Sequence, residues 1–127
     1  MIMEDKMMLP KYIPKPWGYE NWITVQPEYA AKILFIKSGH RLSLQYHKEK
    51  KETMYLFQGS CKMTTNDPPD EELRTVLFNP REAFEIPPGT IHRVEAINDS
   101  TIFEVSTNQL DDCIRISDDY GRVNENK

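Results

Sequence analysis

Cysteine, histidine and long apolar runs are all scarce in this chain of 127 residues, which has two cysteines and three histidines. Cys61 and Cys113 lie far apart with no CxxC spacing, which excludes a disulfide-stapled fold and fits two free thiols in a reducing compartment. The apolar-looking start MIMEDKMMLP is interrupted by Glu4, Asp5 and Lys6 before a signal peptide or membrane span can build up. A soluble, cytoplasmic protein without a membrane partner is expected. Positive charge is not in excess either: the net charge is −4, which argues against a nucleic-acid surface. Helical periodicity, internal repeats and low-complexity tracts are absent as well.

What the sequence does contain is short runs of β-branched and aromatic residues between turn residues, the pattern of an all-β sandwich or barrel. Strands are expected over residues 31–37, 42–47, 53–58, 60–65, 73–78, 83–86, 91–97 and 101–106, enough for a jelly roll. Ser38 with Gly39, Gly59, the NDPPDEE stretch 66–72, Asn79 with Pro80, and segments 87–89 and 98–100 supply the turns. One domain over 15–122 is expected, with an arm at 1–14 and a tail at 123–127, residues 1–11 and 123–127 being loosely held.

Alternation along a strand puts Arg41, Ser43, Gln45 and His47 on one face and Leu42, Leu44 and Tyr46 on the other. A wholly polar face facing solvent would be ordinary in an antiparallel strand. After the KEKK connection, however, Glu52 leads a return strand and sits opposite the Gln45/His47 end. A separate element, PPGTIH, turns sharply on Pro87 and Gly89 and delivers His92 at a strand start. Two imidazoles, a carboxylate and an amide oxygen arriving from rigid elements suit a divalent transition metal, so Gln45, His47, Glu52 and His92 are the candidate ligands.

These residues resemble the two motifs of the cupin superfamily. Gly39, Gln45, His47, Glu52 and Gly59 stand at the positions of the first motif, with Gln45 where a histidine is usual; Pro87, Gly89 and His92 stand at those of the second. The Gln/His/Glu/His set is similar to that of phosphomannose isomerases. KPWGYE (15–20), GHRLSLQYH (39–47) and IRISDDYGR (114–122) resemble segments of the isomerase domain in bifunctional mannose-1-phosphate guanylyltransferases. The resemblance implies a cupin-type double-stranded β-helix holding one divalent ion. Zinc suits it, since no redox change is needed, and manganese, nickel, cobalt or iron fit the same donors. It implies a sugar or sugar phosphate as ligand and aldose–ketose isomerisation through an enediolate. The guanylyltransferase domain itself is missing from the chain.

Arg41 and Glu104 are the candidate catalytic groups. Arg41, Lys50, Arg115 and Arg122 are candidates for holding a substrate's phosphate. Glu104, flanked by apolar residues in TIFEVS, should have a raised pKa if it points inward, or else pair with an arginine on a neighbouring strand. A solvated turn explains at least two of Lys48, Lys50 and Lys51, and a bond to Asp118 or Asp119 is an equal reading of Arg122. Two other functions stay open: a metal-bearing cupin that binds a sugar or nucleotide sugar without turnover, and a cupin dioxygenase, which Gln45 disfavours. A homodimer is expected, through an edge strand or a sheet face.

Overall fold

The computed structural model describes Met7 and residues 9–66 and 72–125. Most of the NDPPDEE turn, half of the expected N-terminal arm and the end of the tail lie outside them. All eight expected strands form, and three more join them: β1 (Lys11–Lys15), β2 (Gly18–Val25), β3 (Ala30–Ile36), β4 (Leu44–Tyr46), β5 (Glu52–Gln58), β6 (Cys61–Thr65), β7 (Arg74–Phe78), β8 (Ala83–Ile86), β9 (His92–Ala96), β10 (Ser100–Ser106) and β11 (Ile114–Ser117). Among the described residues no helix is long and apolar enough to cross a membrane, and both cysteines are free.

The strands make two antiparallel sheets, one ordered β1-β2-β3-β10-β5-β8 and the other β11-β4-β9-β6-β7. This is the all-β jelly roll that the alternating pattern called for. Neighbours in both sheets come from distant parts of the chain, so β10 pairs with both β3 and β5. Between the sheets Leu34, Ile36, Met54, Leu56, Met63, Ile86, Val94 and Ile102 form a dry core. Each such side chain contributes ~1.5–3 kcal/mol by leaving water.

The three unforeseen strands are those with the weakest local signals. β1 carries Pro14, a residue that reads as a breaker but is tolerated on an edge strand, which is where β1 lies. It begins at Lys11, inside the segment read as an arm. β2 starts at Gly18, whose φ of 154° lets the backbone approach β3. A Cβ there would stand 1.9 Å from the Phe35 carbonyl oxygen. β11 has four residues and is held through β4.

The expected strand 42–47 is shorter than its pattern. Arg41 bridges Glu95, and Gln45 pairs with His92, so four steps along one chain face three along the other. The extra residue is a bulge. Both Leu42 and Ser43 consequently turn inward, and the alternation that would have put Arg41 on the same face is broken.

Candidate metal centre

One end of the inter-sheet space is polar. A cavity of about 110 Å³ opens there, walled by β2 and β3 on one side, by β4 and the start of β5 on another, and by the segment 110–122 as a cover. Six ionisable side chains, Glu20, His47, Lys50, Glu52, His92 and Glu104, are buried around it, each at most 6% exposed. Buried charge at this density must be paired or hold an ion.

Three of them converge. His47 Nε2 lies 3.1 Å and His92 Nε2 3.2 Å from Glu52 Oε1, and the three donor atoms fall within 4.8 Å of one another. Local structure delivers them: His47 follows β4, Glu52 opens β5, and His92 opens β9 opposite Gln45. The Pro87–Gly89 turn is tied to the first element directly, because the Gly89 amide donates to the His47 carbonyl at 2.7 Å.

The tautomers follow from what surrounds the rings. His47 Nδ1 faces the Asp112 carbonyl oxygen at 2.6 Å, and His92 Nδ1 faces that of Thr90 at 3.0 Å. A carbonyl only accepts, so both Nδ1 atoms carry the hydrogen and both Nε2 lone pairs point at Glu52. His92 Nε2 is buried without a hydrogen-bond partner, and so is Glu52 Oε2, although the latter lies 3.2 Å from Lys50 Nζ. Three acceptors crowded at one point with their outer nitrogens fixed by carbonyls fit a divalent cation well. Gln45 lines the same cavity, but its Oε1 already accepts from Ser43 Oγ at 2.9 Å and Cys113 Sγ at 2.8 Å. To join the other three it must release one of these bonds.

Beyond the donors runs a chain of alternating charges. Lys50 Nζ bonds Glu104 Oε2 at 3.1 Å, Lys32 Nζ lies 3.8 Å from the same oxygen and 3.3 Å from Glu20 Oε1, and Trp22 Nε1 donates to Glu20 at 2.7 Å. Burial alone would lower the Lys50 ammonium's pKa; the Glu104 and Glu52 carboxylates outweigh that and raise it. Burial, then the charge of Glu52, push Glu104 up against the pull of Lys32 and Lys50. Burial also pushes Glu20 up, but Lys32, Lys15 and the Trp22 bond win and its pKa is lowered.

The candidates read from the sequence divide accordingly. Lys50, Glu104, Arg115 and Arg122 line the cavity. Lys50 is the buried member of its turn, while Lys48 and Lys51 are exposed, and Glu104 is paired with lysines rather than an arginine. Arg122 sits at the cavity edge with its guanidinium forked onto Asp118 at 2.8 Å twice. Arg41 is not in the cavity: the bulge turns it outward, where it is forked onto Asp119 at 2.6 and 2.8 Å. Not foreseen were Glu20 and Lys32, which line the cavity with Trp17 and Trp22. The available signal was the i, i+2 spacing of Gly18, Glu20 and Trp22, legible only once β2 is recognised as a strand.

The chain matches the Mannose-6-phosphate isomerase C-terminal family over residues 4–118, a span that includes every strand of both sheets. It belongs to that family. Among curated relatives, the alginate biosynthesis protein AlgA of Pseudomonas aeruginosa is 28% identical over 116 residues, covering 87% of this chain and 23% of its own length. The mannose-1-phosphate guanylyltransferase of Escherichia coli K12 is 30% identical over 114 residues, covering 86% and 23%. The chain thus spans about a quarter of the length of these relatives. Among solved structures, oxalate decarboxylase from Bacillus subtilis superposes with a TM-score of 0.72 at 17% identity, over 84% of this chain and 30% of that one. Another structure of that decarboxylase is described by its Mn(II) centres. The fold of this member of the mannose-6-phosphate isomerase C-terminal family is therefore the cupin jelly roll.

Proposed function

We propose that the chain is a metal-dependent aldose–ketose isomerase for a hexose phosphate, interconverting mannose 6-phosphate and fructose 6-phosphate or close relatives. The observation that carries this is a buried carboxylate with a raised pKa, Glu104, on the wall of the cavity where the three donors meet. A divalent ion held by His47, Glu52 and His92, with Gln45 alongside, would supply Lewis-acid polarisation of the sugar's carbonyl and neighbouring hydroxyl.

The chain's own groups do the rest. Glu104 takes the C2 proton of the aldose and returns it at C1 while the O2 proton passes to O1. Lys50, bonded to Glu104 Oε2, holds the carboxylate's orientation. At about 110 Å³ the interior is below the roughly 300 Å³ of ordinary ligand sites. The reacting end of the sugar therefore enters while the phosphate stays at the mouth by Arg115 and Arg122. Trp17 and Trp22 present ring surface to the pyranose.

A second reading, recognition of a sugar without turnover, is favoured by one fact: Glu104 already faces two ammonium groups, which weakens it as a base. The two are separated by following fructose 6-phosphate formation from mannose 6-phosphate with and without chelator. Isomerisation requires chelator-sensitive turnover and a loss of ~10²–10⁴ in kcat for Glu104→Gln with metal content unchanged. Saturable binding with no product formed identifies the second reading instead.

A further inference from the structure

Gln45 differs from the other candidate donors in that its oxygen is bonded away from them. A carbonyl oxygen has two lone pairs, and here both are used: Ser43 Oγ donates to Gln45 Oε1 at 2.9 Å and Cys113 Sγ at 2.8 Å. The two donors come from different places. Ser43, 2% exposed, stands two residues back along the same chain and keeps its place beside Gln45. Cys113 is 68 residues away in sequence and immediately precedes β11, in the segment that covers the cavity. All three side chains line that cavity. On its other side Gln45 pairs with His92 of β9, whose Nε2 is buried without a hydrogen-bond partner. Cross-strand neighbours have Cβ atoms ~4.5–5.5 Å apart, so a rotation of the long Gln45 side chain suffices to bring its oxygen to the His92 ring.

We propose that Cys113 is a positioning residue that holds Gln45 back from the metal centre, so that the covering segment and the ion compete for one amide oxygen. The proposal rests on the centre formed by His47, Glu52 and His92, and not on the isomerase reading. The competition is close, because a thiol is a weak donor and the loss of one intramolecular hydrogen bond shifts an equilibrium only ~2–10-fold. The Ser43 bond need not break, since the oxygen can accept from a hydroxyl with one lone pair and meet an ion with the other. With Gln45 held back, two imidazoles and a carboxylate leave a position open, the make-up of a catalytic zinc site. With Gln45 released, the ion gains a hard oxygen donor. Such coupling is reciprocal: an ion that recruits Gln45 loosens the cover by the factor that the cover takes from the ion's affinity.

The test is the zinc affinity of the full chain, stripped of metal and titrated in competition with a chromogenic chelator. Cys113→Val keeps the volume and removes the donor, so it should bind zinc ~2–10-fold more tightly than the parent. Cys113→Ser keeps a donor and should stay close to the parent. In a Gln45→Ala background Cys113→Val should change nothing, because no amide is left to release, and this double-mutant cycle isolates the pair. The cobalt(II) ligand-field spectrum should shift on Cys113→Val only where Gln45 is present. Cooperative thermal unfolding establishes that each variant folds; if Cys113→Val does not, Cys113→Ala replaces it. Zinc affinity that is unchanged or weaker in the donorless variant overturns the proposal, the weaker case marking the thiol as a support or a ligand of the ion. A gain that persists without Gln45 overturns it too. A parent that takes up no zinc or cobalt overturns the metal centre itself and this proposal with it, whereas metal uptake without isomerisation leaves the affinity test as decisive as before.

Discussion

At the scale of single residues, the centre depends on groups that never touch the donor atoms. The Asp112 carbonyl fixes the His47 ring, while the Asp112 carboxylate accepts from the amides of Lys48, Glu49 and Lys50 at 3.0, 2.6 and 3.0 Å. One residue thus clamps the turn that carries His47, Lys50 and Glu52. Asp112→Ala leaves those amides to water and should lower metal affinity ~10–100-fold, the usual cost of losing an outer partner. Asp112→Asn, which keeps one acceptor oxygen, should recover part of the loss. His92→Ala removes a donor outright and should cost more. Metal analysis of protein purified without added ions, followed by competitive titration, ranks the three variants. Metal retained at full stoichiometry by His92→Ala would rule out the site.

At the scale of elements, what could be read from the sequence was what depends on neighbours along the chain. Gln45, His47 and Glu52 are separated by one tight turn, and a Pro/Gly turn fixes His92 at a strand start, so these positions follow from period and turn chemistry. Glu20 and Lys32 could not be paired the same way, because their contact needs β2, whose opening glycine and the prolines just before it, Pro14 and Pro16, read as breaks. Arg41 shows the opposite failure. The period was read correctly, but a bulge inserted one residue, and bulges carry no strong local signature.

The glycine that hid β2 is also what lets it pair, and Gly59, in the turn from β5 to β6, is built the same way. Its φ is 103°, and a Cβ would meet Ser100 Oγ at 2.2 Å and the Asp99 carbonyl at 2.6 Å. Gly39 has a positive φ but nothing within 4 Å of a Cβ. Ala at Gly18 or Gly59 should therefore cost ~3 kcal/mol or more, since strain adds to overlap with backbone, and Gly39→Ala only ~1 kcal/mol of strain. Urea denaturation of the three variants tests this, and equal losses at all three would refute the close-approach account.

At the scale of the whole molecule, the chain closes on itself through its C-terminal segment, which folds back over the cavity mouth. Two carboxylates fasten it, Asp112 to the turn after β4 and Asp119 to Arg41, while Asp118 bonds Arg122 within the segment and holds its shape. Asp119 and Asp118 have lowered pKa values chiefly because a guanidinium bonds each of them. Asp112 is nudged up by desolvation but lowered on balance by the three amides. A lowered folded-state value means these groups add stability above the unfolded carboxyl value of about 3.9, and that stability is lost as pH falls through the lower folded values. Glu104 has the opposite sign: with its pKa raised, it favours the fold in its protonated form and so does not contribute to acid loosening. As pH falls below about 4, the segment should release before the dry core between the sheets opens. Trp17 and Trp22 line the cavity beneath it, so their fluorescence should change at a higher pH than far-ultraviolet dichroism does. Asp119→Asn should move the fluorescence transition, and the dichroism transition should stay where it is. Coincident transitions in the parent would mean that the segment and the two sheets unfold as one cooperative unit.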